Sequence, residues 1–289
     1  MHDYTREGAQ GCTSFNEIIA KGYGEPQSAK EFAELAQWVN YDGHRSLFES
    51  RSQNRKGLLM WMSHSCWPSM VWQTYDYYFE PTAAYFAIKK ASEPLHIQWN
   101  PATDEVEVVN YSAGTHKGLT AKVQILNMDA SVAWEKEATV DSNEDTTNKC
   151  IKLAFPANLS KVHFIKMVLT ENGKVISDNF YHRSLEENNY QDLRQLAKVA
   201  LQSTTTVDKN ADGTWSAVSV IENKTSTPAL MIRLNVVGSK DGQQLLPVFY
   251  SDNYFSLLPG EKKEVRMSWK DEDTRGNEGK VLITGYNVE

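Results

Sequence analysis

Cysteine, charge of one sign and long apolar runs are all scarce in this 289-residue sequence, and each shortage excludes a class of protein. The three cysteines, Cys12, Cys66 and Cys150, lie too far apart for a disulfide framework or a metal-binding pattern. The formal net charge is only −7, and no basic run marks a surface for nucleic acid or an anionic membrane. No apolar stretch approaches the roughly 20 residues that span a bilayer. We therefore expect neither nucleic acid nor a membrane among the partners.

Metal and cofactor motifs are missing as well. The seven histidines form neither HExxH nor another paired short spacing, and GxSxG, P-loop and GxGxxG sequences do not occur. We therefore expect no metal and no cofactor. Aromatic residues, by contrast, are abundant, with eight Trp and thirteen Tyr. Such rings fill the cores of β-sandwiches and also form flat apolar platforms in sugar-binding sites.

Residues 1–92 are predicted to be mainly helical. The sequence SAKE at residues 28–31 is a capping box, and apolar residues at helical spacing follow it. The continuous apolar run at residues 58–62 predicts a strand buried on both faces, as in a parallel sheet covered by helices. A short helix is predicted at residues 81–91. Helix, buried strand, polar-aromatic loop and helix together resemble the last unit of a (β/α)8 barrel.

From Glu93 onward the apolar period changes to two, which predicts strands. Residues 93–186 and 187–289 each have the strand number and turn spacing of an immunoglobulin-like β-sandwich. Asn172-Gly173 is a hairpin signal in the first of them. The predicted fold class is therefore mainly β, with two such sandwiches preceded by a helical remnant of a TIM barrel, its last βα unit.

Residues 61–99, WMSHSCWPSMVWQTYDYYFEPTAAYFAIKKASEPLHIQW, resemble the eighth barrel strand, its loop and the exit into the next domain of family 2 exo-β-D-glucosaminidases. Related β-mannosidases carry a similar block, W-Q-L-N-D-x-W-P followed by D-Y-Y. This sequence has Met62, His64 and Ser65 where those enzymes usually have Gln, Asn and Asp, which favours the glucosaminidase side or a third specificity. YGEP and FESRSQN upstream, and SDNYFSLLPGE at residues 251–261, extend the resemblance over essentially the whole chain.

The resemblance implies the C-terminal part of a retaining exo-β-glycosidase, with a β-linked glycan as the ligand of the parent enzyme. Retaining enzymes need two carboxyl groups about 5–5.5 Å apart. In the family these follow barrel strands four and seven, which would precede residue 1. We therefore expect no catalytic residue in this chain, no hydrolysis by it alone, and either self-association or pairing with the missing N-terminal portion. The family also implies a periplasmic or secreted location.

Four residues are candidates for substrate binding. Trp61, at the end of the predicted strand, is the best candidate for a ring stacked on the sugar in the −1 subsite, with a place in the barrel core as the alternative. His64 is a candidate donor to a sugar hydroxyl. Asp76 either contacts the substrate or braces the loop after the strand. Trp67 either contacts the ligand or anchors the loop on the first sandwich.

Other hypotheses remain open beside a glucosaminidase fragment. One is a β-mannosidase fragment, and another is an enzyme split over two chains. A third, from another functional class, is a free-standing immunoglobulin-like module for sugar binding or adhesion. Such a module has no use for part of a barrel, in which residues 58–62 would form an exposed strand edge prone to aggregation. That run therefore favours the fragment.

Overall fold

The computed structural model describes residues 12–53, 57–68 and 73–289. It begins with helices α1 (Cys12–Tyr23) and α2 (Ala29–Glu49), a short 3-10 helix (Ser50–Gln53), and helix α3 (Ala83–Ala91). The predicted cap of α2 is confirmed, since the Ser28 hydroxyl accepts a hydrogen bond from the backbone N–H of Glu31 at 3.1 Å. None of these described helices is long and apolar enough to cross a membrane.

The strand predicted at residues 58–62 is wrong. Residues 57–60 have no regular secondary structure, and Leu58, Leu59 and Trp61 expose their side chains. An apolar run forms a strand only when a neighbouring strand pairs with its backbone groups. The described residues supply only an isolated parallel bridge between His64 and Tyr75, beyond the end of the run.

The first sandwich packs a three-stranded sheet, in the order β1-β2-β5, against a four-stranded sheet, in the order β4-β3-β6-β7, with all pairings antiparallel. Asn172 and Gly173 both have positive φ, as a two-residue hairpin between β6 and β7 requires, so the predicted hairpin is confirmed. The strands are β1 (Leu95–Asn100), β2 (Glu105–Asn110), β3 (His116–Asn127), β4 (Val132–Ser142), β5 (Thr146–Lys152), β6 (Val162–Glu171) and β7 (Lys174–Ser184).

The second sandwich follows a short 3-10 helix (Gln191–Gln195) and has sheets in the orders β12-β10-β14 and β11-β13-β9-β8. Its core includes the fully buried Trp269, whose ring stacks on that of Trp215. The predicted fold class, mainly β with helices at the start, is thus confirmed. The strands are β8 (Gln202–Lys209), β9 (Thr214–Glu222), β10 (Ala229–Gly238), β11 (Phe249–Tyr250), β12 (Phe255–Leu257), β13 (Lys262–Lys270) and β14 (Gly279–Thr284).

The helices share their core with the second sandwich. One continuous buried cluster contains Trp38 of α2 and Phe86 of α3 together with Leu234 and Tyr254 of the sandwich. The ring of Phe86 lies 5.8 Å from that of Tyr254, centroid to centroid. Helix α3 is therefore held on the second sandwich, which also fixes the segment that precedes it. The domain boundaries at residues 92/93 and 186/187 stay predictions.

A buried polar network joins α2 to the first sandwich. The Glu49 carboxylate accepts hydrogen bonds from Tyr181 Oη at 2.9 Å and Asn179 Nδ2 at 2.8 Å, and lies 3.1 Å from His96 Nε2. The other ring nitrogen of His96 lies 3.1 Å from Glu93. Burial alone would lower the pKa of His96, but the hydrogen bonds and charges of these two carboxylates raise it. Folding therefore makes His96 easier to protonate than it is in the unfolded chain.

Residues 251–261, which carry the downstream resemblance, serve the structure of the second sandwich. The amide group of Asn253 imitates a strand neighbour, since its Oδ1 accepts from Leu234 N at 2.8 Å and its Nδ2 donates to Leu234 O at 3.0 Å. Glu261 forms an ion pair with Lys166 of the first sandwich at 3.2 Å. Residues 251–261 thus connect β10 of the second sandwich to the first sandwich.

Candidate functional site

Residues 73–82 form a narrow hairpin, called the aromatic hairpin below, just before α3. Its arms are joined by a hydrogen bond from Thr82 N to Thr74 O at 2.9 Å. Asp76 braces the tip, because its Oδ1 accepts from Tyr78 N at 2.8 Å and Glu80 N at 2.9 Å. This bracing leaves three large rings exposed at the tip, those of Tyr77, Tyr78 and Phe79.

His64 lies against this hairpin. Tyr75 N donates to Ser63 O at 2.9 Å, which fixes the preceding segment beside the hairpin. The His64 ring then packs on Phe79 at 4.6 Å between centroids and lies 6.4 Å from the ring of Tyr77 in a stacked arrangement. His64 and the aromatic tip therefore form one surface.

Glu80 attaches the hairpin to the second sandwich. Its Oε1 accepts hydrogen bonds from the Arg233 guanidinium and, at 2.9 Å, from Asn235 Nδ2, both on β10. The Arg233 guanidinium also lies 5.8 Å from the centre of the Tyr254 ring. Hydrogen bonds with an ionised partner are stronger than neutral ones, so this Glu80 clamp sets where the hairpin lies on the sandwich.

An open cleft of about 680 Å³ separates the aromatic hairpin from two turns of the second sandwich. One side carries His64, Asp76 and the three exposed rings, and burial raises the pKa of Asp76. The opposite side consists of residues from the turn after β10 and from the segment after β13: Gln243, Gln244, Leu246, Asp273 and Arg275. The cleft thus offers apolar ring faces opposite amide, carboxylate and guanidinium groups.

The structure brings together two of the four predicted substrate-binding residues, His64 and Asp76, in this cleft. Asp76 also braces the loop, the second role considered for it. Trp61 and Trp67 are 78% and 47% exposed and do not line the cleft. The strand whose end was to position Trp61 is absent, so its stacking role stays a prediction, as does the role of Trp67. Within the described residues, no group of three or more His, Cys, Asp or Glu could hold a metal ion.

Sequence reasoning missed the far wall of the cleft and the Glu80 clamp. Gln244 and Arg275 are exposed polar residues in the segments after β10 and β13, and nothing in their local sequence distinguishes them from other surface residues. Their position beside His64 and residues 76–79 depends on how the second sandwich packs on the helices. No local pattern reports that packing.

Comparison with known proteins gives the site its context. Residues 179–288 match the family described as the exo-beta-D-glucosaminidase Ig-fold domain. The exo-beta-D-glucosaminidase of Streptomyces avermitilis is 31% identical over 95% of this chain and 34% of that protein. The crystal structure of the Amycolatopsis orientalis exo-chitosanase CsxA has a TM-score of 0.91 and 29% identity, covering 96% of this chain and 36% of that one. A β-D-mannosidase of Dictyoglomus thermophilum shares the fold, with a TM-score of 0.74 and 19% identity. The match covers 97% of this chain and 33% of that one.

The second sandwich is thus an immunoglobulin-like domain of the kind found in exo-β-D-glucosaminidases. Over 95% of its length the chain is similar to exo-beta-D-glucosaminidases, with β-mannosidases as more distant relatives. It spans about a third of the length of the relatives that it matches.

Proposed function

We propose that this chain forms the non-catalytic C-terminal region of a retaining exo-β-glycosidase that removes glucosamine from β-linked glycans. The observation that carries the proposal is similarity over 95% of the chain to about a third of enzymes named exo-beta-D-glucosaminidase. A variant of the Amycolatopsis orientalis exo-chitosanase has been crystallised with PNP-beta-D-glucosamine, and it covers 96% of this chain with a TM-score of 0.90. Under this proposal the two catalytic carboxylates come from the N-terminal portion of the enzyme.

The described residues also include an exposed apolar surface that is suited to binding this N-terminal portion. Leu58, Leu59, Trp61 and Trp67 expose large apolar areas within one short segment. Soluble proteins rarely leave such areas uncovered unless a partner binds there. We assign this segment, residues 58–67, to the contact with the rest of the enzyme, and the adjoining cleft to the edge of its sugar-binding pocket. Pairing between two copies of the chain is the alternative.

The test is complementation. The purified chain is mixed with the separately produced N-terminal portion of the same enzyme, and release of nitrophenol from PNP-β-D-glucosaminide is measured. We expect turnover from the mixture and none above background from the chain alone. Release by the chain alone that Asp76→Asn abolishes would refute the proposal.

Two matched variants test the contact surface. Leu59→Asp places a charge within the apolar segment and should abolish complementation. Val175→Asp changes another exposed apolar residue, at the start of β7 in the first sandwich, and should have no effect. Equal behaviour of the two variants would exclude residues 58–67 from the contact.

A further inference from the structure

We propose that the second sandwich is itself part of the glycan-binding site. Its turns form one wall of the cleft, and the cleft holds the sugars of a β-linked glucosamine chain that follow the one being removed. This inference rests on the proposed function and extends it from the sugar that is released to the remainder of the chain. It assigns binding roles to Gln243, Gln244, Asp273 and Arg275.

The two walls have complementary chemistry for such a chain. A pyranose ring has apolar C–H faces, and the exposed rings of Tyr77, Tyr78 and Phe79 are platforms on which such faces stack. The side-chain amide of Gln244 can both donate to and accept from sugar hydroxyls. The carboxylate of Asp273 accepts from the amino group of glucosamine. The volume of about 680 Å³ falls within the usual range for small-ligand sites.

The open form of the cleft indicates which sugars it holds. An exo-enzyme encloses only the terminal sugar, so the remaining sugars must leave the pocket across the protein surface. Only two carboxylates line the described part of the cleft, those of Asp76 and Asp273. Asp76 Oδ1 already accepts two backbone hydrogen bonds, which suits a bracing residue better than a nucleophile. The cleft therefore fits the sugars that lie outside the terminal pocket.

Both walls are fixed on the second sandwich. The near wall is held by the Glu80 clamp to β10. On the far wall, the Asp271 carboxylate at the start of a 3-10 helix (Asp271–Thr274) accepts from Trp215 Nε1 at 2.7 Å and pairs with Lys209 at 2.8 Å. The spacing of the walls is thus set before any ligand arrives, and such preorganisation lowers the cost of binding.

The test compares two substrates in the reassembled enzyme. A β-1,4-linked glucosamine tetramer extends into the cleft, whereas PNP-β-D-glucosaminide has no second sugar. The double variant Gln244→Ala/Arg275→Ala should raise KM for the tetramer about tenfold, the loss expected for one or two hydrogen bonds, and leave KM for the aryl substrate unchanged. The control Gln202→Ala/Arg266→Ala changes the same residue types at exposed positions outside the cleft and should change neither KM.

An unchanged KM for the tetramer in the cleft variant would overturn the inference. If the reassembled enzyme cleaves neither substrate, the proposed function fails, and calorimetric titration of the tetramer into the folded chain alone then decides about the cleft. Binding that the cleft variant weakens and the control does not would still support it. Absence of binding to the folded wild-type chain would overturn it.

Discussion

Replacing Asn253 by Asp would change one buried atom from a donor into an acceptor at the centre of the second sandwich. Asn253 is 3% exposed, and its Nδ2 donates to the carbonyl of the fully buried Leu234. In Asn253→Asp that carbonyl would face a carboxylate oxygen, so it would lose its hydrogen bond and meet a like partial charge. Leaving a buried polar group without a partner costs about 1–3 kcal/mol. Burying a charge adds to this, so we expect about 3 kcal/mol of destabilisation.

Urea unfolding followed by tryptophan fluorescence measures this change, because Trp215 and Trp269 both lie in the affected sandwich. The midpoint should fall while the slope of free energy against urea stays the same. Asn210→Asp is the matched control, since Asn210 is exposed and water can replace the hydrogen bond that its Nδ2 donates to the Thr214 hydroxyl. A loss below about 1 kcal/mol in Asn253→Asp, or an equal loss in the control, would refute the strand-neighbour role of this amide.

Three further predictions concern stability. Gly279→Ala should destabilise the second sandwich by about 1–3 kcal/mol, because a methyl group there would overlap the Trp269 indole. Gly43→Ala should stabilise the protein by about 0.5–1 kcal/mol, because a methyl group at this position in α2 would have no atom within 4 Å. Urea unfolding of both variants measures the two changes in free energy of unfolding, and changes of the same sign would contradict the prediction. Since the pKa of His96 is raised above its ordinary 6.5, its contribution is complete below that pH and declines as the pH rises through the higher folded value. The free-energy difference between wild type and His96→Gln should therefore shrink from pH 6 to pH 9, and a constant difference would exclude the linkage.

Local patterns predicted those parts of the fold that depend on neighbouring residues in the chain. The cap at Ser28 and the hairpin at Asn172-Gly173 require only side chains and φ angles within a few residues, and both are found in the structure. Alternation of apolar residues likewise predicted most strands of the two sandwiches, but not β4, β11 or β12. The pairing of β10 with both β12 and β14 was not predictable in this way, because those strands come from distant segments of the chain.

In the candidate site, too, the local sequence predicted some residues and missed those whose position depends on distant segments of the chain. His64 and Asp76 lie within a dozen residues of each other, and a resemblance in one block of sequence was enough to select both. Glu80 lies in the same block, but its partner Arg233 is 153 positions away. Its role as a clamp appears only when the second sandwich is in place. A short-range motif can therefore identify one wall of a cleft, while tertiary packing supplies the other wall and the contact that fixes their spacing.

The error at residues 58–62 follows from the same physics and supports the proposed assembly. Five apolar residues in a row predict a buried strand only on the condition that other strands and helices cover both faces. In the described residues that condition is not met, and Leu59 and Trp61 remain exposed. Burying a large apolar side chain stabilises a protein by about 1.5–3 kcal/mol, so two such residues offer several kcal/mol to a partner that covers them. The N-terminal portion proposed here is such a partner, and the Leu59→Asp variant in the complementation assay tests whether this apolar area is what binds it.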